Sequence, residues 1–392
     1  MRDYDVIVAG GGCAGLWAAI VAARRGARTL LLEKEGDIGE KIRCAEGVGT
    51  RGISQFVDID AGWIASEVHG GRFFSPDGNC VSADEPGCGF ILHKDLFLKG
   101  LADMAREAGA EIRTSSRVAG LKPLDGGGFE VCLGDGRGTS GDKLACGAVV
   151  AADGIQSGVA RLGGLDTHIP TDEVFICAQN TVSSVDVDRH MVEFHFGSRI
   201  APGGYAWVFP KGDSMANVGV GIRSGAAHGR AYDYLGEFMK SRCPGAHIER
   251  SIVGGVPAVR KAPRGLYRGL FLAGDAARAA DPVSGAGIVP ALESAAVSGE
   301  YAAVLALGEM PYRDVEREFK KKYEGVLKWR KLRYALKKVL TALTDAEYSR
   351  LVGLIDEYCS SGASLQESGK LVKFFIKSMP RNFGMVRHLA GI

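Results

Sequence analysis

Among its nine cysteines, at 13, 44, 80, 88, 132, 146, 177, 243 and 359, the sequence has no C-x-x-C pair and no zinc-like spacing. That argues against a structural metal or an iron–sulfur cluster. No apolar run approaches the roughly 18 residues of a membrane span. No charged leader with a long apolar core precedes the first strand, so the chain reads as cytoplasmic with reduced thiols. A net charge of +2 gives no electrostatic reason to expect a nucleic-acid partner. Internal repeats and low-complexity segments are also missing. What the chain has in excess is glycine: 56 of 392 residues, about twice the usual share. Many positions must therefore need tight turns or close approach of the backbone to something. At 46% hydrophobic and 24% charged, this is an ordinary globular composition, long enough for two or three domains.

The best-defined unit is YDVIVAGGGCAGLWAAIVAARRGARTLLLEK at the start. An apolar strand, Val6 to Ala9, runs into Gly10, Gly12 and Gly15. An apolar helix follows, then a second strand, Thr29 to Leu32, ending at Glu33. Glycines there permit the turn and let backbone N–H groups and the helix N-terminus approach a pyrophosphate. An acid about twenty residues on holds ribose hydroxyls, and Glu33 sits at that place. Strand, loop, helix, strand and acid in this order predict dinucleotide binding.

Two later segments say which dinucleotide. ACGAVVAADGIQSGVAR, 145 to 161, reads as a strand ending at Asp153 and Gly154, followed by a helix carrying Arg161. GLFLAGDAARAADPVSGAGIVPALESAAVSGE, 269 to 300, reads as a strand ending at Gly274 and Asp275, then a loop in which Gly285 and Gly287 open a long small-residue helix. The second segment offers a carboxylate at a strand end and a fresh helix N-terminus, suited to a ribityl hydroxyl and an electron-rich ring edge.

Together these three segments resemble the FAD-binding flavoproteins that include the aromatic hydroxylases. RCAEG (43 to 47), GDAARAADPVSGAGI and PGGYAWVFP (202 to 210) narrow the resemblance to the geranylgeranyl reductase family in its archaeal form. The nine-residue aromatic element is the specific one. The motifs span residues 1 to about 300. The resemblance implies FAD contacts from Gly10, Gly12, Cys13, Ala14, Gly15, Glu33, Lys34, Arg43, Cys44, Lys94, Val118, Asp153, Gly154, Gly274, Asp275, Gly285, Ala286, Gly287 and Ile288. Cys13 stands where a proline is common, Lys94 where an arginine is usual, and Leu98 where an acid is often found.

The implied fold is α/β: a discontinuous Rossmann-like FAD domain (1–71, 93–164, 263–304), an antiparallel sheet domain over the flavin (72–92, 165–262) and a C-terminal helical region (305–392). EVFICAQNTV, HMVEFHFG, GYAWVFP and MANVGVGIR read as strands of that sheet. In GYAWVFP, Tyr205, Trp207 and Phe209 alternate with Ala206 and Val208 and so share one face. They form either an ordinary packed sheet face or, as the resemblance implies, the wall of a cavity for a long apolar chain, with Gly47 beside it.

The implied chemistry is reduction of isolated double bonds in a geranylgeranyl chain of an isoprenoid lipid, which needs a proton as well as a hydride. Cys44 is the expected donor, because a thiol is mostly protonated at neutral pH; Glu46, Tyr205 and bound water are its rivals. No second glycine fingerprint follows a strand, so electrons come from transiently docked NAD(P)H, from ferredoxin or from a reduced deazaflavin. FKKKYEGVLKWRKLRYALKKVL (319 to 340) and KLVKFFIKSMPRNFGMVRHL are basic and apolar. Either they cover the FAD domain with solvated lysines, or they meet anionic lipid at the inner membrane face as a peripheral contact. Two competing functions share the FAD motifs: a monooxygenase acting on an apolar substrate, whose pattern lacks the aromatic element, and a non-catalytic prenyl-lipid carrier.

Overall fold

The computed structural model describes residues 2–134, 139–328, 330–361, 370, 373, 374, 377 and 378. The described chain divides into two compact units. The first comprises the chain up to Ile42, Lys94–Ile169 and Val259–Arg330; the second comprises Arg43–His93, Pro170–Ala258 and the described residues from Lys331 onward.

In the first unit, strands Leu270–Leu272, Thr139–Ala151, Tyr4–Ala9, Thr29–Leu32 and Glu111–Arg113 lie side by side in parallel. Parallel strands buried on both faces read as continuous apolar runs, which is how VIVA and TLLL appear. The hairpin Arg117–Pro123 and Phe129–Gly134 continues antiparallel from the Thr139–Ala151 strand. Helix Cys13–Arg24 is buried along most of its length, and helix Ile288–Ala306 packs on it. The approach is close: a Cβ at Gly299 would stand 2.5 Å from the Ala18 carbonyl oxygen.

That second helix corrects the expectation about long apolar segments. Its 19 residues, with mean hydropathy 1.2 over an 18-residue window, are long and apolar enough to cross a membrane, and 56% of that window is buried within the protein. Its small residues serve packing, and hydropathy alone cannot separate that from lipid contact.

The second unit is built on an eight-stranded sheet in the order His247–Pro257, Val174–Ser183, Met215–Arg223, Tyr205–Pro210, Met191–His195, Ile64–Phe74, Cys80–Leu92, Gly47–Gly49. The four strands read from sequence all form. The sheet is not purely antiparallel, because Met191–His195 runs parallel to Ile64–Phe74. One face carries Ala206, Val208, Val218 and Val220, which form a core with Leu235 and Phe238 of helix Ala231–Arg242.

The division differs from the expected boundaries in two places. Residues 43–71 belong with the second unit, because Gly47–Gly49 and Ile64–Phe74 pair with Cys80–Leu92. The carboxyl-terminal helices do not form a third unit. Helix Tyr312–Val326 joins the first, burying Val315, Phe319 and Tyr323, with Phe319 edge-on to Phe271 at 5.2 Å. Residues from Lys331, including helix Asp345–Ser360, join the second. Trp329 and most of the second basic stretch lie outside the described residues.

Candidate active site

The first unit gathers most of the residues expected to hold the cofactor. The glycine loop is dictated by backbone clearance: a Cβ on Gly15 would stand 1.8 Å from the Gly10 carbonyl oxygen, and one on Gly10, at φ +114°, would stand 2.4 Å from that of Ala152. Gly12, by contrast, has nothing within 4 Å of its missing Cβ, which leaves open space at the amino end of helix Cys13–Arg24. Cys13 and Ala14 are buried in that helix, and Ala14 supports the second loop, since a Cβ on Gly274 would meet its methyl at 2.7 Å. Glu33 sits at the end of the second strand, where Oε2 accepts from the Gly11 N–H at 2.5 Å and Oε1 from that of Glu35 at 2.9 Å.

Asp153 accepts from the Val159 N–H at 2.9 Å through Oδ2, while its buried Oδ1 has no partner among the described residues. Burial raises its pKa despite those backbone bonds. Gly154 beside it, at φ +78°, faces open space. Asp275 lies in a short 3-10 turn, Gly274–Ala277; burial raises its pKa, opposed by the charges of Lys94 and Arg278. Its Oδ1 is 3.9 Å from where a Cβ of Gly287 would stand, so the carboxylate borders the loop of Gly285 and Ala286 that opens the helix at Ile288. Lys34 follows Glu33 and is paired with Glu35 at 3.9 Å. Val118 sits in a hairpin strand opposite Leu133, two residues after Ser116, whose N–H donates to the Glu33 carbonyl at 2.7 Å.

Sequence reasoning missed Arg278. It is 2% exposed, at φ +59°, and its guanidinium donates to the carbonyls of Ile155, Asp275 and Thr167. It thereby ties the Asp275 turn to the segment after Asp153. A lone arginine in a stretch of small residues, GDAARAA, was the available signal. A backbone cradle with space at Gly12 and Gly154, carboxylates at three strand ends and a helix opening at Gly287 together fit a dinucleotide with a ribityl chain.

The second unit brings together the other expected residues. Tyr205, Trp207 and Phe209 share one sheet face, with ring centroids 5.9 Å and 6.5 Å apart in sequence order. Phe194 meets Tyr205 and Phe209 edge-on at 5.6 and 5.7 Å, and Phe73 stacks on Phe194 at 5.4 Å. Neighbouring glycines make this possible: a Cβ on Gly219 would stand 2.2 Å from the Trp207 ring, and one on Gly221 would meet it at 3.7 Å. Of these rings only Trp207 is fully buried. Tyr205, Phe209, Phe194 and Phe73 are half-buried, while Ala206, Val208, Ala216, Val218 and Val220 on the opposite face of the Tyr205–Pro210 and Met215–Arg223 strands are fully buried. Burial pushes the Tyr205 hydroxyl well above its ordinary pKa, and pushes Cys177, on the same face, up to about 12.

The Cys44 loop is fastened to this face. Trp207 Nε1 donates to Gln179 Oε1 at 3.2 Å, and Gln179 Nε2 donates to the Cys44 carbonyl at 3.1 Å. Gly47 stands against Phe209, where a Cβ would meet the ring at 3.0 Å. The Cys44 thiol, partly exposed, accepts from the Glu46 N–H at 3.3 Å. Glu46 is 6% exposed at φ +72°, a conformation costing a non-glycine residue about 1–3 kcal/mol. Its carboxylate is held by Lys211, just past the aromatic strand, and by Asn217 Nδ2 at 2.6 Å. Those ties make Glu46 a brace for the loop. Arg43, expected with the cofactor set, begins this same unit. Gln179, Gly219, Lys211 and Asn217 escaped sequence reasoning. The glycines of NVGVGIR, recurring every second residue, were the one available sign that something large lies across that strand.

Two family models match parts of the chain. Residues 5–53 match an FAD dependent oxidoreductase domain and residues 173–259 a geranylgeranyl reductase catalytic domain. The chain is 35% identical to the digeranylgeranylglycerophospholipid reductase of Methanocella arvoryzae, covering 100% of this chain and 99% of that one. It is 38% identical to that of Methanosarcina acetivorans over 82% and 81% of the two chains. A geranylgeranyl bacteriochlorophyll reductase-like protein from Thermoplasma acidophilum superposes with TM-score 0.84 at 30% identity, covering 99% and 98%. A p-nitrophenol 4-monooxygenase from Pseudomonas putida shares the fold, with TM-score 0.74 at 18% identity over 95% and 97%. With an FAD-type cradle in one unit, a braced cysteine against an aromatic face in the other, and relatives aligned along the whole chain, the protein belongs to the geranylgeranyl reductase family of FAD-dependent oxidoreductases.

Proposed function

We propose that the protein reduces isolated double bonds in the geranylgeranyl chains of an isoprenoid glycerophospholipid. The observation that carries this reading is the half-buried ring face with the Cys44 loop fastened to it through Gln179. A sheet whose rings only packed a core would bury them as fully as Ala206, Val208 and Val218 on the other side.

FAD supplies hydride equivalents from its reduced ring when bound. We assign its binding to the Gly10–Gly15 loop, Glu33, Asp153, Asp275 and the Gly285–Ile288 turn. An isolated alkene has no carbonyl to polarise it, so hydride adds only as the other carbon takes a proton. In this reading Cys44 delivers that proton, with its thiol oriented by the Glu46 N–H and its backbone by Gln179. Positive charge builds on the more substituted carbon, and Tyr205, Trp207 and Phe209 stabilise it through their ring faces by about 0.5–2 kcal/mol each.

Product analysis tests the proposal. Reduced enzyme mixed anaerobically with a geranylgeranyl glycerophospholipid should yield lipid heavier by two hydrogens per double bond. A monooxygenase would add an oxygen atom, and only in air; a carrier would return the lipid unchanged. The same assay identifies the donor, by which of NAD(P)H, ferredoxin or reduced deazaflavin bleaches the bound flavin. Exposed Lys320 and Lys321 on helix Tyr312–Val326 support peripheral contact with anionic lipid, to be read as salt-sensitive sedimentation with vesicles.

A further inference from the structure

Nothing above uses Arg223, and its surroundings are unusual for an arginine. It ends the Met215–Arg223 strand opposite Phe175. Residues two apart share a face, so Arg223 lies on the side of Gly219 and Gly221, which is the ring side. Its Nε is buried with no hydrogen-bond partner among the described residues, while the side chain as a whole is partly exposed. A guanidinium keeps its charge, and a buried donor without an acceptor costs free energy that an oxyanion would recover. The side chain crosses Gly203, where a Cβ would stand 3.2 Å from Arg223 Nε.

A second cation meets the same end of the face. Lys337 is 4% exposed, donates to the Ala258 carbonyl at 2.8 Å, and lies 5.1 Å from the centre of the Phe175 ring. The acids acting on it are Glu173 and Asp172, and Glu173 already accepts from the Tyr334 hydroxyl at 2.8 Å. Burial, helped by the charge of Arg223 and opposed by those acids, pulls Lys337 down to about 8.

We propose that Arg223 and Lys337 form an anion subsite that takes the phosphate of an amphiphile whose prenyl chain lies along the ring face. The ladder sets the geometry. From Arg223, the face passes Gly221 opposite Tyr205 and Gly219 opposite Trp207 to Asn217 opposite Phe209. The six residue steps from Arg223 to Asn217 span about 20 Å, comparable with an extended geranylgeranyl chain. Gln179, which holds the Cys44 loop, pairs with Gly219 at mid-span. A phosphate fixed at one end therefore sets which double bond lies near the loop. A guanidinium fork suits such an oxyanion. The inference rests on the prenyl reading for its chain but not for its charge.

The test compares binding of geranylgeranyl phosphate and geranylgeraniol to the FAD-loaded full chain by quenching of tryptophan fluorescence. Wild type should prefer the phosphate, and R223M and K337M should each shrink that preference about ten- to hundredfold, the scale of one charge-assisted hydrogen bond. R223K should restore part of it, with melting and FAD content showing that each variant is folded. Equal binding of the two amphiphiles by wild type would overturn the subsite, as would a preference that survives R223M. About a hundredfold excess of inorganic phosphate should fail to displace the prenyl phosphate; displacement at comparable concentration would make this a free-phosphate site and overturn the headgroup assignment. If the preference behaves as expected while no alkene is ever reduced, the subsite stands and the reductase reading falls.

Discussion

Both units spend glycine on close approach, and for opposite ends. In the cofactor unit Gly10 and Gly15 let the backbone pass close to carbonyls, beside the open space at Gly12. In the sheet unit Gly219 and Gly221 let an indole lie flat across a strand. The first arrangement is made of a few short contiguous segments, each carrying its own turn chemistry, because the ligand is read largely by backbone geometry. The second is made by side chains from strands that meet only when the sheet forms. Backbone recognition leaves a linear motif, and side-chain recognition leaves a pattern visible in the ladder.

That contrast should break in unequal ways. The largest effect is expected at Gly15→Val, whose Cβ would collide with the Gly10 carbonyl; flavin absorbance in the purified protein should be lost, and retained FAD would show that the loop is not the cradle. Next comes Lys211→Met, which leaves the buried Glu46 carboxylate without its cation. Removing one partner of a buried pair costs about 3–5 kcal/mol, and denaturant melts should show that loss with FAD binding kept; an unchanged midpoint would mean the brace bears no strain.

Acid should weaken the sheet unit through Glu193. Burial alone would raise this carboxyl, but hydrogen bonds from Arg242 and His195, with their charges, bring it down to about 2 from an ordinary 4.5. A folded pKa below the unfolded one gives stability that is complete above about 4.5 and drains away as pH falls toward 2. The loss is about 3 kcal/mol. Melts of wild type and Glu193→Gln across that window should converge at low pH; parallel curves would remove Glu193 from the acid response. The smallest effect is Gly219→Ala, where a methyl 2.2 Å from the indole should cost about 1–3 kcal/mol by overpacking; a neutral result would show the indole free to move.

The same distinction explains what could be read in the sequence. Strand, glycine loop, helix and Glu33 were legible because their periodicities and turn chemistry are contiguous, and the four sheet strands were legible from alternation. The parallel pairing of Met191–His195 with Ile64–Phe74 was not, because neighbourhood between distant strands leaves no local trace. The same holds for residues 43–71, whose unit is decided by pairing with Cys80–Leu92. Tyr205, Trp207 and Phe209 were visible as a stripe. Gln179, Asn217 and Lys211, which fasten the Cys44 loop to it, are ordinary polar residues until register brings them together.

The central claim is that the cofactor unit supplies hydride and the sheet unit a proton from Cys44. Anaerobic stopped-flow mixing of reduced enzyme with a geranylgeranyl lipid tests it most directly, in wild type and Cys44→Ala. The account predicts that oxidised-flavin absorbance returns without oxygen in wild type. In the variant it should return at least about tenfold more slowly, with FAD content and the rate of flavin reduction unchanged. Return of the absorbance only when oxygen is admitted, or at the wild-type rate in Cys44→Ala, would contradict it.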